Sequence, residues 1–117
     1  MTSLPRFAPG LFFLTFLGLY ASGASPAPYG GDAGELIVSA LTLGVSHAPG
    51  YPLHALLGKA FSVLVPWAAG AYRVNLLSCV LSALTVTGLW LFLRRLLGRG
   101  AAAFFGAGRY GLFPLVW

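Results

Sequence analysis

The chain has only two acidic residues, Asp32 and Glu35, and they stand three positions apart behind a glycine-rich stretch. On a helix this spacing places both carboxylates on one face. In one interpretation they begin the helix, with Asp32 as N-cap and Glu35 in a capping-box position. In the other, a partly desolvated carboxylate takes a proton from a hydroxyl, or both ligate a divalent cation. The two interpretations do not exclude each other, and both remain open.

A helical pattern from about residue 33 to 45 extends this acidic face. Polar residues recur along it at spacings of three or four, at Asp32, Glu35, Ser39, Thr42 and Ser46. The remaining positions are mostly apolar. The pattern predicts a helix that lies along a membrane surface, with its polar stripe facing an aqueous cavity.

A turn rich in proline and glycine follows the predicted helix, from residue 46 to 53. Two prolines and one glycine end the helix and hold the backbone in a fixed turn. Such a turn can keep His47 and Tyr51 in one place, although a purely structural corner with an exposed His47 is the alternative. His54 has no supporting context and is not included in the candidate site.

Arg73 and Asn75 begin a long apolar stretch. At the membrane boundary Arg73 can extend to phosphate groups. Asn75 starts a polar stripe that continues through Ser78, Ser82 and Thr85, and these last three favour helix packing. Arg73 and Asn75 therefore remain candidate ligand contacts.

The composition indicates a membrane protein. With 58% hydrophobic residues, 8% charged residues and a mean hydropathy of +0.85, the chain has too little polar surface for a soluble globule of 117 residues. The net charge of +5 does not indicate nucleic-acid binding, because the basic residues stand beside apolar runs. The single Cys79 excludes an intrachain disulfide, and the sequence contains no zinc-ligand spacing, Walker loop, nucleophile elbow or dinucleotide fingerprint.

Two apolar runs, at about 7–24 and 74–93, are predicted to span the membrane, and a third span begins at about 101–117. A cleaved signal peptide is the alternative for the first run. The segment at 53–65 is short for a crossing and is expected to lie in the interface or to dip partway into the membrane. We expect residues 1–117 to be the N-terminal fragment of one larger transmembrane domain.

The arginines predict the topology. Arg6 precedes the first run, and Arg94, Arg95 and Arg99 follow the second, which favours the cytoplasm for both ends. The loop at 25–73 then lies outside. Six arginines against one lysine suggest a GC-rich bacterial gene, so we expect a multi-pass protein of the bacterial inner membrane.

Four short stretches occur in a specific order and spacing. They read Asp32-Ala33-Gly34-Glu35-Leu36, Leu43-Gly44-Val45-Ser46-His47-Ala48-Pro49-Gly50-Tyr51-Pro52-Leu53, Leu57-Gly58 and Arg73-Val74-Asn75-Leu76-Leu77-Ser78. In these stretches the chain resembles a family of bacterial multi-span proteins of long-unassigned function that are related to eukaryotic transmembrane O-mannosyltransferases, within the GT-C glycosyltransferase superfamily. Trp117 fits the end of the family's third span.

This resemblance implies an all-α polytopic fold that transfers a sugar, such as mannose, from a polyprenyl-phosphate donor to an extracytoplasmic acceptor. It implies that Asp32 is the base that deprotonates the acceptor hydroxyl, and that Glu35 orients the acceptor or a cation. The positions that would shape the pocket or meet the donor phosphate are His47, Tyr51, Arg73 and Asn75. The chain departs from the family pattern at Gly31, Ala33, Ser46 and Ala48, and residues 1–117 alone are not expected to catalyse transfer.

Two other function classes remain open. A transporter or channel component would use the acidic pair to bind a cation or proton, but such carboxylates are expected within a span. A non-catalytic assembly subunit would need no acidic motif. The expected partners are membrane lipid, a polyprenyl-linked sugar donor and an unassigned acceptor, without nucleic acid.

Overall fold

The computed structural model describes residues 5–98 and 100–113, and within them the chain is all-helical, as predicted. These residues form five helices. They are α1 (Ala8–Gly23), α2 (Ala33–Thr42), α3 (Pro52–Leu64), α4 (Gly70–Leu97) and α5 (Gly100–Gly111). The predicted contributions of Arg99, Pro114 and Trp117 lie outside the described residues.

Two compact units divide the chain. We call residues 24–78 the acidic unit, because both carboxylates belong to it. We call residues 1–23 together with 79–117 the aromatic unit. Helix α4 contributes its first residues to the acidic unit and the rest to the aromatic unit.

Among the described residues, α4 is the one helix long and apolar enough to cross a membrane by length and composition. Its 28 residues extend about 42 Å, which exceeds a hydrocarbon core of about 30 Å. The second predicted span, at 74–93, lies inside it. The first predicted span is not confirmed, because the 16 residues of α1 extend only about 24 Å.

The aromatic unit packs large rings against small residues. Phe12 and Phe16 of α1 are buried, and the Phe12 ring lies 4.6 Å from the Trp90 ring, centroid to centroid. Helix α5 presents small buried residues at every fourth position, namely Ala103, Ala107 and Gly111. Small residues at this spacing allow helix backbones to approach closely. An apolar groove of about 1060 Å³ lies in this unit, with Phe16 and Phe104 among its lining residues.

In the acidic unit, α2 packs against α3 and against the start of α4. The core of this packing contains Ile37, Ala40, Ala71 and Val74. A Cβ placed on Gly58 of α3 would lie 2.7 Å from the Ala40 Cβ, so glycine is what permits this approach. Helix α3 occupies the segment that the sequence assigned to the membrane interface, and its position relative to a bilayer stays a prediction.

Helix α2 ends earlier than predicted, at Thr42 rather than at about residue 45. Leu43 adopts a left-handed φ of 56°, and the Gly44 N–H donates to the Ser39 carbonyl. Lys59 Nζ donates to the Leu41 carbonyl at 2.6 Å, placing a cation at the negative end of the helix.

The predicted polar stripe is consequently wrong at two of its five positions, Ser39 and Ser46. Ser39 is buried and its hydroxyl donates to the Leu36 carbonyl, while Ser46 lies beyond the helix and is also buried. Of the five stripe residues, only Asp32, Glu35 and Thr42 lie at the exposed surface of α2 and its N-terminus.

Candidate functional site

Asp32 occupies the N-cap position of α2, but its carboxylate makes no capping hydrogen bond. The backbone there has φ −81° and ψ 0°, whereas side-chain capping is typical of an extended N-cap. The side chain of Asp32 is 70% exposed. The predicted capping box is therefore wrong, and the Asp32 carboxylate remains accessible to other groups.

Glu35 is bonded to His47 instead of to the start of its own helix. Its Oε1 accepts the His47 backbone N–H at 2.5 Å, and its Oε2 lies 2.9 Å from His47 Nδ1. The two residues are twelve positions apart, so the turn after α2 must bring His47 back beside the first turn of the helix. Both oxygens of one carboxylate thus fix the backbone and the ring of the same histidine.

The turn that carries His47 has the restricted backbone expected from its prolines and glycine. The Gly50 N–H donates to the His47 carbonyl at 2.7 Å, and Gly50 has φ 88°. The Ala48–Pro49 bond is cis, and Tyr51 is left-handed at φ 42° before α3 begins at Pro52. The Tyr51 and His47 rings meet edge to face, with centroids 5.7 Å apart. The structure therefore brings Tyr51 and His47 together, as the sequence predicted.

His47 lies between the two carboxylates. Its Nε2 is 3.8 Å from Asp32 Oδ2, whereas the other ring nitrogen, Nδ1, meets Glu35. This distance is too long for a direct hydrogen bond but short enough for a charge to be felt. Asp32, Glu35, His47 and Tyr51 form one exposed cluster, which we call the Asp–His–Glu cluster after its two carboxylates and its histidine.

The contacts within this cluster shift two pKa values in opposite directions. The hydrogen bond from the His47 ring, then the one from its backbone N–H, lower the pKa of Glu35. The bond to Glu35 and the charge of Glu35, followed by the charge of Asp32, raise the pKa of His47. Glu35 is thus held as a carboxylate, and His47 binds a proton more tightly than an isolated imidazole does.

Arg73 and Asn75 contact backbone carbonyls. Arg73 donates from Nε to the Ala68 carbonyl, from Nη2 to Pro66 at 2.6 Å and from Nη1 to Ser62 at 3.3 Å. Asn75 donates to the Ser25 carbonyl at 2.9 Å. Arg73 therefore holds the end of α3 and the linker that follows it, and a contact with a donor phosphate stays a prediction for both residues.

No three His, Cys, Asp or Glu side chains within the described ranges are arranged to hold a metal ion. Both oxygens of Glu35 accept hydrogen bonds from His47, so a cation at Glu35 would have to replace them. The predicted alternative, a divalent cation on Asp32 and Glu35, gains no support from this geometry.

Lys59 belongs to the framework of the site, although the side-chain pattern did not predict this role. Its ammonium binds the Leu41 carbonyl in the last turn of α2, next to the point where the turn toward His47 starts. The only signal in the sequence was a lysine that interrupts an apolar segment. The partner is a backbone carbonyl eighteen residues away, which side-chain patterns do not reveal.

Comparison with known proteins identifies a family and several relatives, among them a mouse and a Dictyostelium discoideum protein. A family described as "Protein O-mannosyl-transferase TMEM260 N-terminal domain" matches residues 32–109. A mouse protein named "Protein O-mannosyl-transferase TMEM260" is 43% identical over 88 residues, covering 75% of this chain and 12% of its own length. A similarly named Dictyostelium discoideum protein is 31% identical over 109 residues, covering 92% of this chain and 13% of its own. No solved structure matches.

Proposed function

This chain belongs to the protein O-mannosyl-transferase TMEM260 N-terminal domain family, and from that premise we propose that it supplies the acceptor-activating base of a membrane glycosyltransferase. The transferred sugar is mannose, the donor is a polyprenyl-phosphate mannose, and the acceptor is a hydroxyl of a protein on the outer side of the membrane. The chain spans about an eighth of the length of the two relatives, so the donor site includes parts that they carry elsewhere.

One observation carries the proposal: Asp32 is exposed and makes no helix-capping bond, although it stands where a cap would be. A carboxylate that caps a helix is held to the backbone, whereas an accessible one can accept a hydroxyl proton. Glu35, the other acidic residue, is engaged by His47 at both oxygens. Asp32 is thus the carboxylate that the geometry favours as the base.

The reaction assigned to Asp32 is an inverting displacement. The acceptor oxygen attacks C1 of mannose while its proton passes to the Asp32 carboxylate. The bond between C1 and the phosphate oxygen breaks, and polyprenyl phosphate leaves with the electron pair. General-base catalysis of this kind contributes about 10² to 10⁴ in rate.

The lipid donor requires a site next to the bilayer. Helix α4 has the length and composition of a membrane span. Arg94 and Arg95 in its last turn favour the cytoplasm for that end, so its first turn, with Arg73, would face outward. We place the chain in a multi-pass GT-C-like fold of the bacterial inner membrane, where Arg73 and Asn75 lie at the depth of the donor phosphate.

Replacement of Asp32 by Asn in the complete protein tests the proposal. The amide keeps the shape of the side chain but cannot accept the proton, so transfer of mannose from a polyprenyl-phosphate donor should fall on the order of 10²-fold or more. Thr42→Val is the matched control, since it is isosteric, lies exposed on the same helix and removes only a bond to the Val38 carbonyl.

The alternatives predict other results. Full transfer by Asp32→Asn would exclude Asp32 as the base. Loss of cation or proton transport, in a protein with no transferase activity, would favour a transporter. Unchanged transfer and transport, with loss of a protein partner from the membrane, would favour an assembly subunit.

A further inference from the structure

The Asp–His–Glu cluster contains a histidine whose tautomer is set by its surroundings. Glu35 holds the His47 backbone N–H with one oxygen and faces Nδ1 with the other. An ionised carboxylate can only accept hydrogen bonds, so Nδ1 must carry the hydrogen. In the neutral ring, Nε2 is then left with its lone pair.

Nε2 lies near the Asp32 carboxylate. Nε2 and Asp32 Oδ2 are 3.8 Å apart, and in the neutral state of the ring both are acceptors. Two acceptors that face each other are stabilised when a proton or a hydroxyl hydrogen comes between them. The gap is therefore suited to a proton that is produced at Asp32.

We propose that His47 receives, through Nε2, the proton that Asp32 takes from the acceptor hydroxyl, and that Glu35 is a positioning residue that fixes the His47 tautomer. This inference rests on the proposed function, because Asp32 must first act as the base. His47 and Glu35 act through Asp32 and do not touch the mannose.

The proton balance is complete without a further reactant. The acceptor O–H bond breaks and its proton moves to Asp32 Oδ2. Once the exposed Asp32 side chain turns to bring Oδ2 within hydrogen-bond distance of Nε2, the proton passes to Nε2, which restores the Asp32 carboxylate and leaves His47 as an imidazolium beside ionised Glu35. Release of the proton from Nε2 to water returns the ring to its starting state.

The groups that face His47 are consistent with this role. From α2 and its N-cap they are Glu35 and Asp32, and from the start of α3 the neighbour is the Tyr51 ring. Both charged neighbours are anionic and favour the imidazolium, while the His47 side chain is 43% exposed and open to water. The raised pKa of His47 agrees with this arrangement.

The His47 tautomer can be measured on residues 1–117 alone, and the measurement does not require transferase activity. We would incorporate ¹⁵N-labelled histidine into residues 1–117 in lipid nanodiscs and assign the His47 resonances with His47→Asn. Above its pKa, His47 should show the hydrogen on Nδ1. In Glu35→Gln, whose amide can either donate or accept, the two tautomers should mix. A hydrogen on Nε2 in the wild-type chain would overturn the proposal.

Two histidine variants then separate a relay from a structural role in the complete protein. An Asn amide nitrogen at position 47 occupies the place of Nδ1 and can still donate to Glu35, but nothing replaces Nε2. A Gln amide reaches the place of Nε2 but cannot take up the proton. We expect both variants to lose about 10- to 100-fold in transfer rate. Wild-type transfer by His47→Asn would contradict the relay.

The pH dependence of the transfer rate distinguishes a relay from a structural role, because a purely structural role of His47 would not change it. A relay requires neutral His47, so wild-type transfer should fall as pH drops through the His47 pKa. Glu35→Gln should shift that acid limb to lower pH, because it removes the charge that raises the pKa. An unshifted limb in Glu35→Gln would overturn the positioning role, even if Asp32→Asn is inactive. Full transfer by Asp32→Asn would instead contradict the proposed function, and the relay would be excluded as well because it depends on Asp32 as the base.

Discussion

The acidic unit and the aromatic unit differ in the side chains that make their characteristic contacts. In the aromatic unit, rings pack against small residues, and the described residues include no carboxylate side chain. In the acidic unit, both carboxylates of the sequence meet a histidine at the surface, and charged side chains bind the ends of helices. Both units have a close-packed core, and the acidic unit adds charged contacts at its surface and at the ends of its helices.

This difference predicts which variants change stability and which change reactivity. A ring against a glycine tolerates no added atom, whereas an exposed carboxylate can be replaced by its amide at little structural cost. Variants in the aromatic unit should therefore change unfolding, and variants in the Asp–His–Glu cluster should change chemistry. The comparison would be contradicted if variants in the aromatic unit changed the chemistry and variants in the Asp–His–Glu cluster changed unfolding.

The largest effect on unfolding is expected from Gly111→Ala in the aromatic unit. The added Cβ would lie 2.5 Å from Phe16 Cε1 and 2.9 Å from Val86 Cγ1, so the packing must shift. Overpacking of this kind costs about 1–3 kcal/mol, measurable as the free energy of unfolding in mixed micelles. Gly108→Ala on the same helix is the control, because its Cβ would meet nothing within 4 Å.

The same experiment sharpens the contrast between the units. The histidine tautomer in Gly111→Ala should equal that of the wild-type chain, since neither Phe16 nor Val86 belongs to the acidic unit. Equal stability of Gly111→Ala and Gly108→Ala would show that close packing does not organise the aromatic unit.

A smaller loss is expected from Arg73→Lys in the acidic unit. The substitution keeps the positive charge but loses the planar fork that reaches three carbonyl oxygens. We expect about 1–2 kcal/mol less stability, read from the same unfolding titration. Arg109→Lys, at an exposed position, is the control and should be neutral. Equal stability of the two variants would mean that charge alone accounts for Arg73.

The sequence predicted the helical class, a long apolar helix at about 74–93, and a turn that holds His47 and Tyr51 in one place. The strong signals were a charge-free apolar run and the prolines and glycine of the turn. It did not predict that Glu35 would bond to His47 rather than cap α2. A capping box and a contact across twelve residues use the same carboxylate, and only the turn geometry decides between them.

The remaining errors have a similar cause. The polar stripe was extended to Ser46 because residues 43–45 continue the helical period. The left-handed Leu43 and the Lys59 contact end the helix first. The first is a backbone conformation and the second is a contact with a backbone carbonyl, and the pattern of side chains encodes neither.

The smallest effect concerns pH and the stability of the turn. Glu35 has a pKa below its ordinary 4.5, so its contribution is present above that value and is lost as pH falls through the lowered pKa. His47 has a pKa above its ordinary 6.5, so its contribution is present below 6.5 and is lost as pH rises through the raised pKa. The stability difference between wild type and Glu35→Gln should therefore be largest between about pH 4.5 and 6.5.

That difference should be small, because the pair lies at the surface and is screened by solvent. Thermal unfolding of both proteins, measured from pH 3 to pH 9, would show whether the stability difference is largest between about pH 4.5 and 6.5. A difference that does not vary with pH would show that the Glu35–His47 pair is not ionic.

The most direct test compares the initial rates of mannose transfer by Asp32→Asn and Glu35→Gln, at equal amounts in the membrane. We predict that Asp32→Asn loses on the order of 10²-fold or more, while Glu35→Gln keeps a slower but measurable rate with its acid limb at lower pH. The opposite order, with full transfer by Asp32→Asn and none by Glu35→Gln, would contradict the assignment of Asp32 as the base.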